Sequence, residues 1–334
     1  LLPSAGQQHR HRRGGIGRER RLRAVDAMRV LDAGVGHEPS DVLGGGVVQT
    51  IRPRPVVGLA GRHLVRSCET SRQVRGVTYV AGWALHEGHL SLIRRAREEC
   101  GYVVVTLFVN PTQFDNPGDL QKYPRTLDND ITLLSELSEE VIVFAPNPAE
   151  IYGEEIVSER FSFDGLEDQM EGKFRKGHFD GVGTVVKKLF EIVQPDKAFF
   201  GEKDFQQLQI IRKLVEKHQL PVEIIGCPID RESTGLARSS RNERLAPDQR
   251  LKAKFIYEVL NRVKEDFGTK SASELTQWVE SQFNNNPELK LEYFEIADVD
   301  TLESLQEKLN GKSYRAFIAV YSGDVRLIDN IALN

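Results

Sequence analysis

The chain has 334 residues, of which 40% are hydrophobic and 28% are charged, with a formal net charge of -4. This length is sufficient for two domains with a substantial core, and the composition is ordinary for a globular protein. The charge balance gives no reason to expect nucleic acid or an anionic membrane as a partner, and no apolar run approaches a membrane span. The three cysteines, Cys68, Cys100 and Cys227, are scattered, which indicates a reducing compartment without a disulfide framework.

Residues 1–76 differ in composition from the rest of the chain. They are rich in arginine and glycine, and the first lysine of the protein is Lys122. The segment has no sustained helical or strand period, so we expect it to be disordered. It lacks a secretory-signal pattern, while an organelle transit peptide and a basic nucleic-acid arm remain alternatives. The abrupt change favours a non-native or wrongly translated leader, a hypothesis that an intact-mass measurement on protein from its natural source would test.

From Gly76 onward, apolar runs that fit strands alternate with segments of helical periodicity. The continuous apolar run at 102–109 fits a central parallel strand covered on both faces. Alternation of this kind implies right-handed crossovers and a parallel sheet, and hence an α/β fold. The predicted strands cover 77–81, 102–109, 141–144, 198–200 and 221–229, and the predicted helices cover 127–137, 180–193 and 204–218, with one more helix after the turn at residues 86–89.

The pattern changes after Pro247. Two helical stretches, 249–267 and 272–283, precede three strand-like runs at 289–296, 315–321 and 325–328. This order predicts a smaller α+β domain. We therefore predict a leader at 1–76, a parallel-sheet domain at 77–229 and a C-terminal domain at 230–334.

A short turn with two histidines follows the first predicted strand. His86, Gly88 and His89 lie where the strand ends and a helix begins. A helix N-terminus attracts anions because its free N–H groups and its dipole both favour negative charge. The histidines could donate hydrogen bonds to phosphate oxygens. A surface turn that happens to carry two histidines is the alternative interpretation.

Three further polar clusters follow predicted strands. Asn110 and Gln113 could bind a carboxylate or hydroxyl, or simply face solvent. The segment 201–207 contains Lys203, which could meet a phosphate, and Asp204, which could merely cap the next helix. The segment 238–242 offers hydroxyl and guanidinium groups for a phosphate, although a basic surface turn would look similar. Together these donors fit stabilisation of charge at a transferring phosphoryl group.

Six segments of the chain resemble, in order, the pantothenate synthetase (pantoate–β-alanine ligase) family. The matching segments are Ala84–Leu92, Phe108–Phe114, Tyr123–Leu127, Gly177–Val182 with Thr184–Phe190, Phe200–Leu208 and Gly235–Asn242. The resemblance implies a Rossmann-like nucleotidyltransferase domain with a smaller α+β C-terminal domain that closes over it. It also implies an AMP-forming ligase that joins (R)-pantoate to β-alanine through a pantoyl adenylate, with ATP as substrate and Mg²⁺. A cytoplasmic homodimer without nucleic-acid or membrane partners is the further implication.

The resemblance also implies roles for individual residues. The predicted ATP-binding residues are Gly82, Trp83, Ala84, Leu85, His86, Glu87, Gly88, His89, Gly201, Glu202, Lys203, Asp204, Asp230, Arg238, Ser239, Ser240 and Arg241. Among them, the predicted catalytic residues are His89, His86, Lys203, Ser239, Ser240 and Arg241. Gln113 and Gln207 would hold pantoate, with Gln113 also meeting β-alanine. Asp130 matches an acidic position near the metal. Glu171, Arg175 and His178 match positions near the pantoate pocket and its lid.

The sequence departs from the family pattern directly before the histidine turn. The residues Val80, Ala81, Gly82 and Trp83 stand where the family has Pro-Thr-Met-Gly. Trp83 would place an indole where the backbone should approach ATP, and Arg238 replaces an apolar residue. Two alternatives therefore remain: another nucleotidyltransferase with the His-x-Gly-His motif, or an inactive nucleotide-binding homologue disabled at Val80–Trp83.

Overall fold

Five parallel strands form the main sheet of the computed structural model, which describes residues 74–80, 84–113, 126–137 and 141–334. The strands are β1 (Arg75–Val80), β2 (Tyr102–Leu107), β3 (Val141–Phe144), β4 (Lys197–Gly201) and β5 (Glu223–Cys227). Their order in the sheet is β3-β2-β1-β4-β5. The chain builds outward from β1 to β3 and then returns to add β4 on the other side of β1. Ligands of open α/β sheets bind at the carboxyl ends of the strands where the order reverses, here between β1 and β4.

Six helices accompany this sheet in the described residues, and the apolar positions explain the longer ones. They are α1 (Glu87–Glu99), α2 (Leu127–Leu137), α3 (Pro148–Tyr152), α4 (Met170–Phe174), α5 (His178–Val193) and α6 (Phe205–His218). The inner face of α5 buries residues such as Val182, Val185 and Leu189 in the core. Strand β2 is buried along nearly its whole length, as the continuous valine run predicts. The parallel α/β fold predicted from the sequence is confirmed.

A second, antiparallel sheet lies near the C-terminus. Its strands β6 (Lys290–Asp298), β7 (Tyr314–Ser322) and β8 (Val325–Ala332) pair in that order. Three helices precede them: α7 (Pro247–Lys252), α8 (Phe255–Asp266) and α9 (Ala272–Asn284). The single helix predicted over 249–267 was wrong, because α7 buries no residue and so does not share the apolar face that directs α8.

The two sheets share packing. Ala297, Leu302 and Phe317 of the C-terminal region belong to the same buried cluster as the helices α5 and α6. The parallel strands end at Cys227 and the antiparallel strands begin at Lys290. The predicted domain boundary at residue 230 falls between them and stays a prediction. In the part of the chain that the structure describes, no helix has the length and apolar character needed to cross a membrane.

Candidate active site

The fold brings two of the predicted clusters to neighbouring strand ends. The turn of His86 and His89 follows β1, and the turn of Lys203 follows β4, its direct neighbour in the sheet. The carboxyl ends of adjacent parallel strands lie at the same edge, so both turns face the point where the strand order reverses. This placement brings the two histidines near Lys203, although even His89 is 114 residues from Lys203 in the sequence.

The two histidine rings form a stacked pair at the start of α1. Their centroids are 3.8 Å apart with an interplanar angle of 21°. The backbone N–H of His86 donates to Nδ1 of His89 at 3.4 Å. Burial, together with the charges of Lys203 and Arg238, lowers the pKa of His86 to about 4. Burial and the neighbouring His86 and Lys203 hold the pKa of His89 well below its ordinary value, so both rings are neutral near pH 7.

Asp130 holds the backbone in front of the histidine pair. Its Oδ1 accepts the N–H of Leu85 at 2.8 Å, and its Oδ2 accepts the N–H of Ala84 at 3.0 Å. The hydroxyl of Thr126 also donates to Oδ2, at 3.2 Å, and Asp130 is only 1% exposed. Ala84 has a φ of 68°, a left-handed conformation that costs a non-glycine residue about 1–2 kcal/mol. The carboxylate of Asp130 therefore fixes a strained turn.

The metal-binding role predicted for Asp130 stays a prediction. In the described part of the chain, its carboxylate accepts hydrogen bonds from the N–H groups of Ala84 and Leu85 and from the hydroxyl of Thr126. Among the residues that the structure describes, no group of three His, Cys, Asp or Glu side chains could hold a metal ion. The described residues thus offer no dedicated cage for Mg²⁺. Magnesium commonly binds through substrate phosphates and only one or two carboxylates, and its presence stays a prediction.

The turn after β4 presents Lys203 and uses its neighbours for support. Nζ of Lys203 lies 3.8 Å from Oδ1 of Asp204. The carboxylate of Glu202 accepts a hydrogen bond from Arg315 at 3.1 Å, so its side chain faces β7. The interpretation of Asp204 as a helix cap was wrong: it stands at the N-cap of α6 but makes no capping hydrogen bond with its side chain. Its carboxylate is drawn towards Lys203 instead.

The loop with the serines and arginines closes next to the histidine turn. A Cβ atom built on Gly88 would lie 3.2 Å from Cβ of Arg238, so the two segments approach closely where glycine leaves room. The side chain of Arg238 forms an ion pair with the carboxylate of Asp230, and the backbone N–H of Arg238 donates to the backbone carbonyl of Asp230 at 3.0 Å. The extra charge at Arg238 is therefore paired within the loop. Oγ of Ser239 accepts the N–H of Arg241 at 3.2 Å, which shapes the start of the turn at Ser240.

A cavity and an adjoining pocket connect these groups. Lys203, Ser239 and Arg241 line the small cavity together with Asp329. Lys203 and Arg241 also line the larger pocket, which contains Gln207. The other polar residues at that pocket include Glu171, Arg175, His178, Asp204, Tyr293 and Arg326. Cationic groups suited to phosphates thus adjoin a pocket with amide and carboxylate groups suited to a small polar acid.

Glu171 and His178 are held firmly in the pocket wall. Both carboxylate oxygens of Glu171 accept from Arg326, at 2.9 and 2.8 Å, and Tyr293 donates to it at 2.9 Å. Burial opposes ionisation of Glu171, but Arg326 and Tyr293 outweigh it and lower the pKa of this carboxyl. Arg175 donates to Nε2 of His178 at 3.1 Å. Burial and that guanidinium lower the pKa of His178 to about 3.

Several predicted residues fall outside this constellation. Gly82, Trp83 and the side chain of Gln113 lie outside the described residues. The side chain of Leu85 packs in the core, and that of Glu87 pairs with Arg94 at 2.9 Å. The contacts of these two side chains lie with the core and with Arg94, so we expect only their backbone to contribute to the site.

Other residues shape the site and were not singled out from the sequence. Gln206 is buried and donates to the carbonyls of Leu166 and Gln169, both at 2.8 Å, while accepting the N–H of Glu171 at 3.0 Å. Asp329 and Asn330 in β8 are likewise buried. A signal for Asp329 and Asn330 was available: they are two adjacent polar residues between the apolar pairs Leu327–Ile328 and Ile331–Ala332. Nothing in the sequence distinguishes Gln206 from the adjacent Gln207 as a buried residue.

Comparison with known proteins agrees with this architecture. Residues 61–332 match the family model described as pantoate-beta-alanine ligase. The chain belongs to the pantoate–β-alanine ligase family. A pantothenate synthetase of Christiangramia forsetii is 64% identical over 251 residues, which is 75% of this chain and 89% of that relative. One from Flavobacterium psychrophilum is 55% identical over 250 residues, 75% of this chain and 89% of that relative.

Solved structures of pantoate–β-alanine ligase relatives share the fold. The pantothenate synthetase of Thermus thermophilus has a TM-score of 0.76 at 38% identity and covers 83% of this chain and 99% of its own. The pantoate-beta-alanine ligase of Francisella tularensis, complexed with beta-gamma ATP and beta-alanine, has a TM-score of 0.67 at 36% identity. It covers 84% of this chain and 98% of its own. The described histidine, lysine and serine–arginine turns all lie within the range that matches the pantoate–β-alanine ligase model.

Proposed function

We propose that this chain joins (R)-pantoate to β-alanine in an ATP-dependent condensation that releases AMP and pyrophosphate. One observation carries the proposal beyond family membership: Lys203 and Arg241 line both the cavity with Ser239 and the pocket with Gln207. A nucleotide's phosphates and a small acid would then meet at the same cations. The relative crystallised with ATP and β-alanine ligands supports the same choice of substrates.

In the first step, a carboxylate oxygen of pantoate attacks the α-phosphorus of ATP. The new O–P bond forms as the bond to the pyrophosphate oxygen breaks, and pyrophosphate leaves. Lys203, Arg241 and Ser239 stabilise the charge that shifts onto the leaving phosphates. Neutral His86 and His89 present ring N–H groups for hydrogen bonds to phosphate oxygens.

In the second step, the neutral amine of β-alanine attacks the carbonyl carbon of the pantoyl adenylate. The C–N bond forms, the C–O bond to the phosphate breaks, AMP leaves, and the amine gives up a proton. The protein's main contribution is to hold the reactants in line, which can supply roughly 7–11 kcal/mol at best. The remaining roles are proposals too: Gln113 and Gln207 bind pantoate, and Gln113 also meets β-alanine.

The other proposed binding roles follow the family pattern. The backbone at residues 82–89, the segment 201–204, Asp230 and the segment 238–241 bind ATP, which enters with Mg²⁺. We also propose a homodimer located in the cytoplasm, where ATP is available. Light scattering on the purified chain measures the dimer directly, and a monomer at all concentrations would exclude it.

An isotope experiment tests the first bond. Pantoate labelled with heavy oxygen in its carboxylate should transfer one labelled atom to AMP, because the attacking oxygen stays on phosphorus when the C–O bond breaks. The result is measured by mass spectrometry of the AMP formed in the complete reaction. Unlabelled AMP, or formation of ADP and phosphate, would exclude the adenylate route.

A further inference from the structure

Asn330 of β8 contacts the backbone of the turn that carries Lys203. Its Nδ2 donates to the carbonyl of Glu202 at 3.0 Å and to the carbonyl of Lys203 at 2.8 Å. Asn330 is 1% exposed, and 127 residues separate it from Lys203 in the chain. One amide from the antiparallel sheet therefore holds two successive carbonyls of a turn that belongs to the parallel sheet.

The orientation of the Asn330 amide is fixed by Arg315 of β7. Nη1 of Arg315 donates to Oδ1 of Asn330, and Nη2 donates to the carboxylate of Glu202 at 3.1 Å. The guanidinium also lies 4.1 Å from the centre of the Phe205 ring. Since an arginine only donates, the amide oxygen must face it, which directs the amide N–H groups at the turn.

The preceding residue, Asp329, contacts the base of the loop that carries Ser239 and Arg241. Its carboxylate accepts two hydrogen bonds from Arg231, at 2.6 and 2.9 Å. The guanidinium of Arg231 donates in turn to the carbonyl of Gly235 at 3.0 Å. The backbone of Arg231 forms an antiparallel β-bridge with Ala237 at the base of the loop. The guanidinium stacks 3.8 Å from the ring centre of Tyr257. Asp329 thus anchors the loop that ends in Ser239 and Arg241.

We infer that Asp329 and Asn330 are a pair of positioning residues that set the spacing between Lys203 and the serine–arginine loop. Successive side chains of a strand point to opposite faces, so two adjacent residues can form hydrogen bonds with two separate segments. Asp329 itself lines the small cavity shared by Lys203, Ser239 and Arg241. Neither residue needs to touch substrate: both act through the backbone and the loop that they hold.

The functional consequence rests on the proposed adenylation reaction. The cations must stand at fixed positions while charge moves onto pyrophosphate, and a misplacement of about 1 Å can cost about a hundredfold in rate. Loss of the Asn330 contacts frees the Lys203 turn, and loss of the Asp329 contacts frees the loop. Asp329 and Asn330 also line the pocket of Gln207, but their hydrogen bonds go to Arg231 and to the Lys203 turn. Pantoate binding, which we assign to Gln207, should therefore change less than ATP use.

Asn330→Asp is the sharpest test, because it preserves shape but directs a carboxylate oxygen at two carbonyl oxygens. We expect kcat for pantoate-dependent pyrophosphate release to fall by about tenfold to a hundredfold, with KM for pantoate changed by less than about threefold. Protonation should turn the new carboxyl into a donor, so the ratio of variant to wild-type rate should rise as the pH is lowered. Circular dichroism at each pH distinguishes this rescue from a recovery of folded protein.

Asn334→Asp is the matched control. Nδ2 of Asn334 also donates to a backbone carbonyl, that of Lys312, at 2.8 Å, but it is exposed at the end of the same sheet. We expect wild-type kcat and KM values for this variant. Arg231→Lys tests the other half of the pair: it keeps the charge, loses the paired contact with Asp329, and should raise KM for ATP.

A further readout keeps the outcomes distinct. Calorimetry with a non-hydrolysable ATP analogue reports ATP binding even if wild-type protein releases no pyrophosphate with pantoate, a result that would defeat the proposed function alone. In that case, weaker analogue binding by Asn330→Asp and Arg231→Lys supports the positioning pair. The inference is overturned if both variants, folded by circular dichroism, retain wild-type kcat, KM and analogue affinity, or if Asn334→Asp loses as much as Asn330→Asp.

Discussion

Asp130 shows how one buried side chain can define a binding turn. Its two oxygens accept the N–H groups of Ala84 and Leu85, directly before the histidine pair. Asp130→Asn should destabilise the protein by about 1–3 kcal/mol, because the amide N–H₂ must face a backbone donor and leaves it without an acceptor. KM for ATP should rise as the turn relaxes. Urea unfolding and initial-rate kinetics measure the two effects.

Asp128→Asn serves as the control for Asp130, since Asp128 is exposed on the same helix and should tolerate the change. A metal-binding role for Asp130 makes a different prediction. Asp130→Asn would then shift the dependence of the rate on Mg²⁺ concentration while leaving the free energy of unfolding unchanged, and that pair of results would contradict the positioning role.

Lys203 is one of the cations that line both the small cavity and the larger pocket. We expect Lys203→Ala to reduce adenylate formation by about 10²–10³-fold, the usual loss when one charge-stabilising group is removed. Its ion pair with Asp204 spans 3.8 Å and contributes little to folding, so the melting temperature should hardly change. Lys213→Ala, which removes a lysine paired with Glu216 on α6, should leave the rate unchanged. Near-normal turnover of Lys203→Ala would refute the assignment.

Among the secondary-structure elements, α4 and the antiparallel sheet are joined through Glu171. This carboxylate binds Arg326 of β8 and Tyr293 of β6. Glu171→Gln removes one of the two carboxylates that Arg326 contacts and leaves its ion pair with Glu292. We therefore expect a loss of about 1–3 kcal/mol in unfolding free energy, typical of a weakened hydrogen bond to a charged group, and a higher KM for pantoate. Chemical denaturation compares it with Glu191→Gln, at an exposed position of α5. Equal stability of the two variants would show that this ion pair does not fasten α4.

The elements that the sequence predicts well are those with a continuous or periodic apolar pattern. Strand β2 and helix α5 fall close to their predicted positions because their apolar residues record burial directly. The turns of His86 and Lys203 were also predictable at one edge of the sheet, since parallel strands place their carboxyl ends there, but the strand order that makes β1 and β4 neighbours was not. The separation of α7 from α8 was not predictable. Helix α7 buries no residue, so it has no apolar period that would mark it as a separate helix.

Contacts between residues far apart in the chain could not be predicted from the hydrophobic pattern of the sequence. Asp130 binds Ala84 across 46 residues, and Asn330 binds Lys203 across 127. Each depends on one buried polar side chain meeting a backbone group, and such a pairing has no period. The resemblance supplied roles for residues that contact ligands, but it was silent about residues that hold those residues in place.

At the scale of the whole molecule, the buried histidines make stability depend on pH. The pKa of His86 is lowered to about 4 and that of His178 to about 3, so both rings stay neutral in the folded protein at mildly acidic pH. In the unfolded chain, histidine takes up a proton below about pH 6.5. The unfolded state therefore binds more protons in this window, and stability should fall as the pH is lowered from about 7 to about 5.

Denaturant midpoints across this pH range measure the effect. His178→Gln should show a smaller fall than the wild type, since one of the depressed groups is gone. His218→Gln, at an exposed position, should follow the wild-type curve. Stability that rises between neutral and mildly acidic pH would contradict the neutral, buried state of these rings.

The measurement that bears most directly on the whole account is product analysis in matched mixtures of ATP, (R)-pantoate and β-alanine. With ATP and pantoate alone, the protein should release pyrophosphate in an amount close to its own concentration and hold the adenylate. Addition of β-alanine should then release AMP and form pantothenate with continuous turnover. Binding of ATP without pantoate-dependent pyrophosphate release would contradict the account and identify the chain as a nucleotide-binding protein without ligase activity.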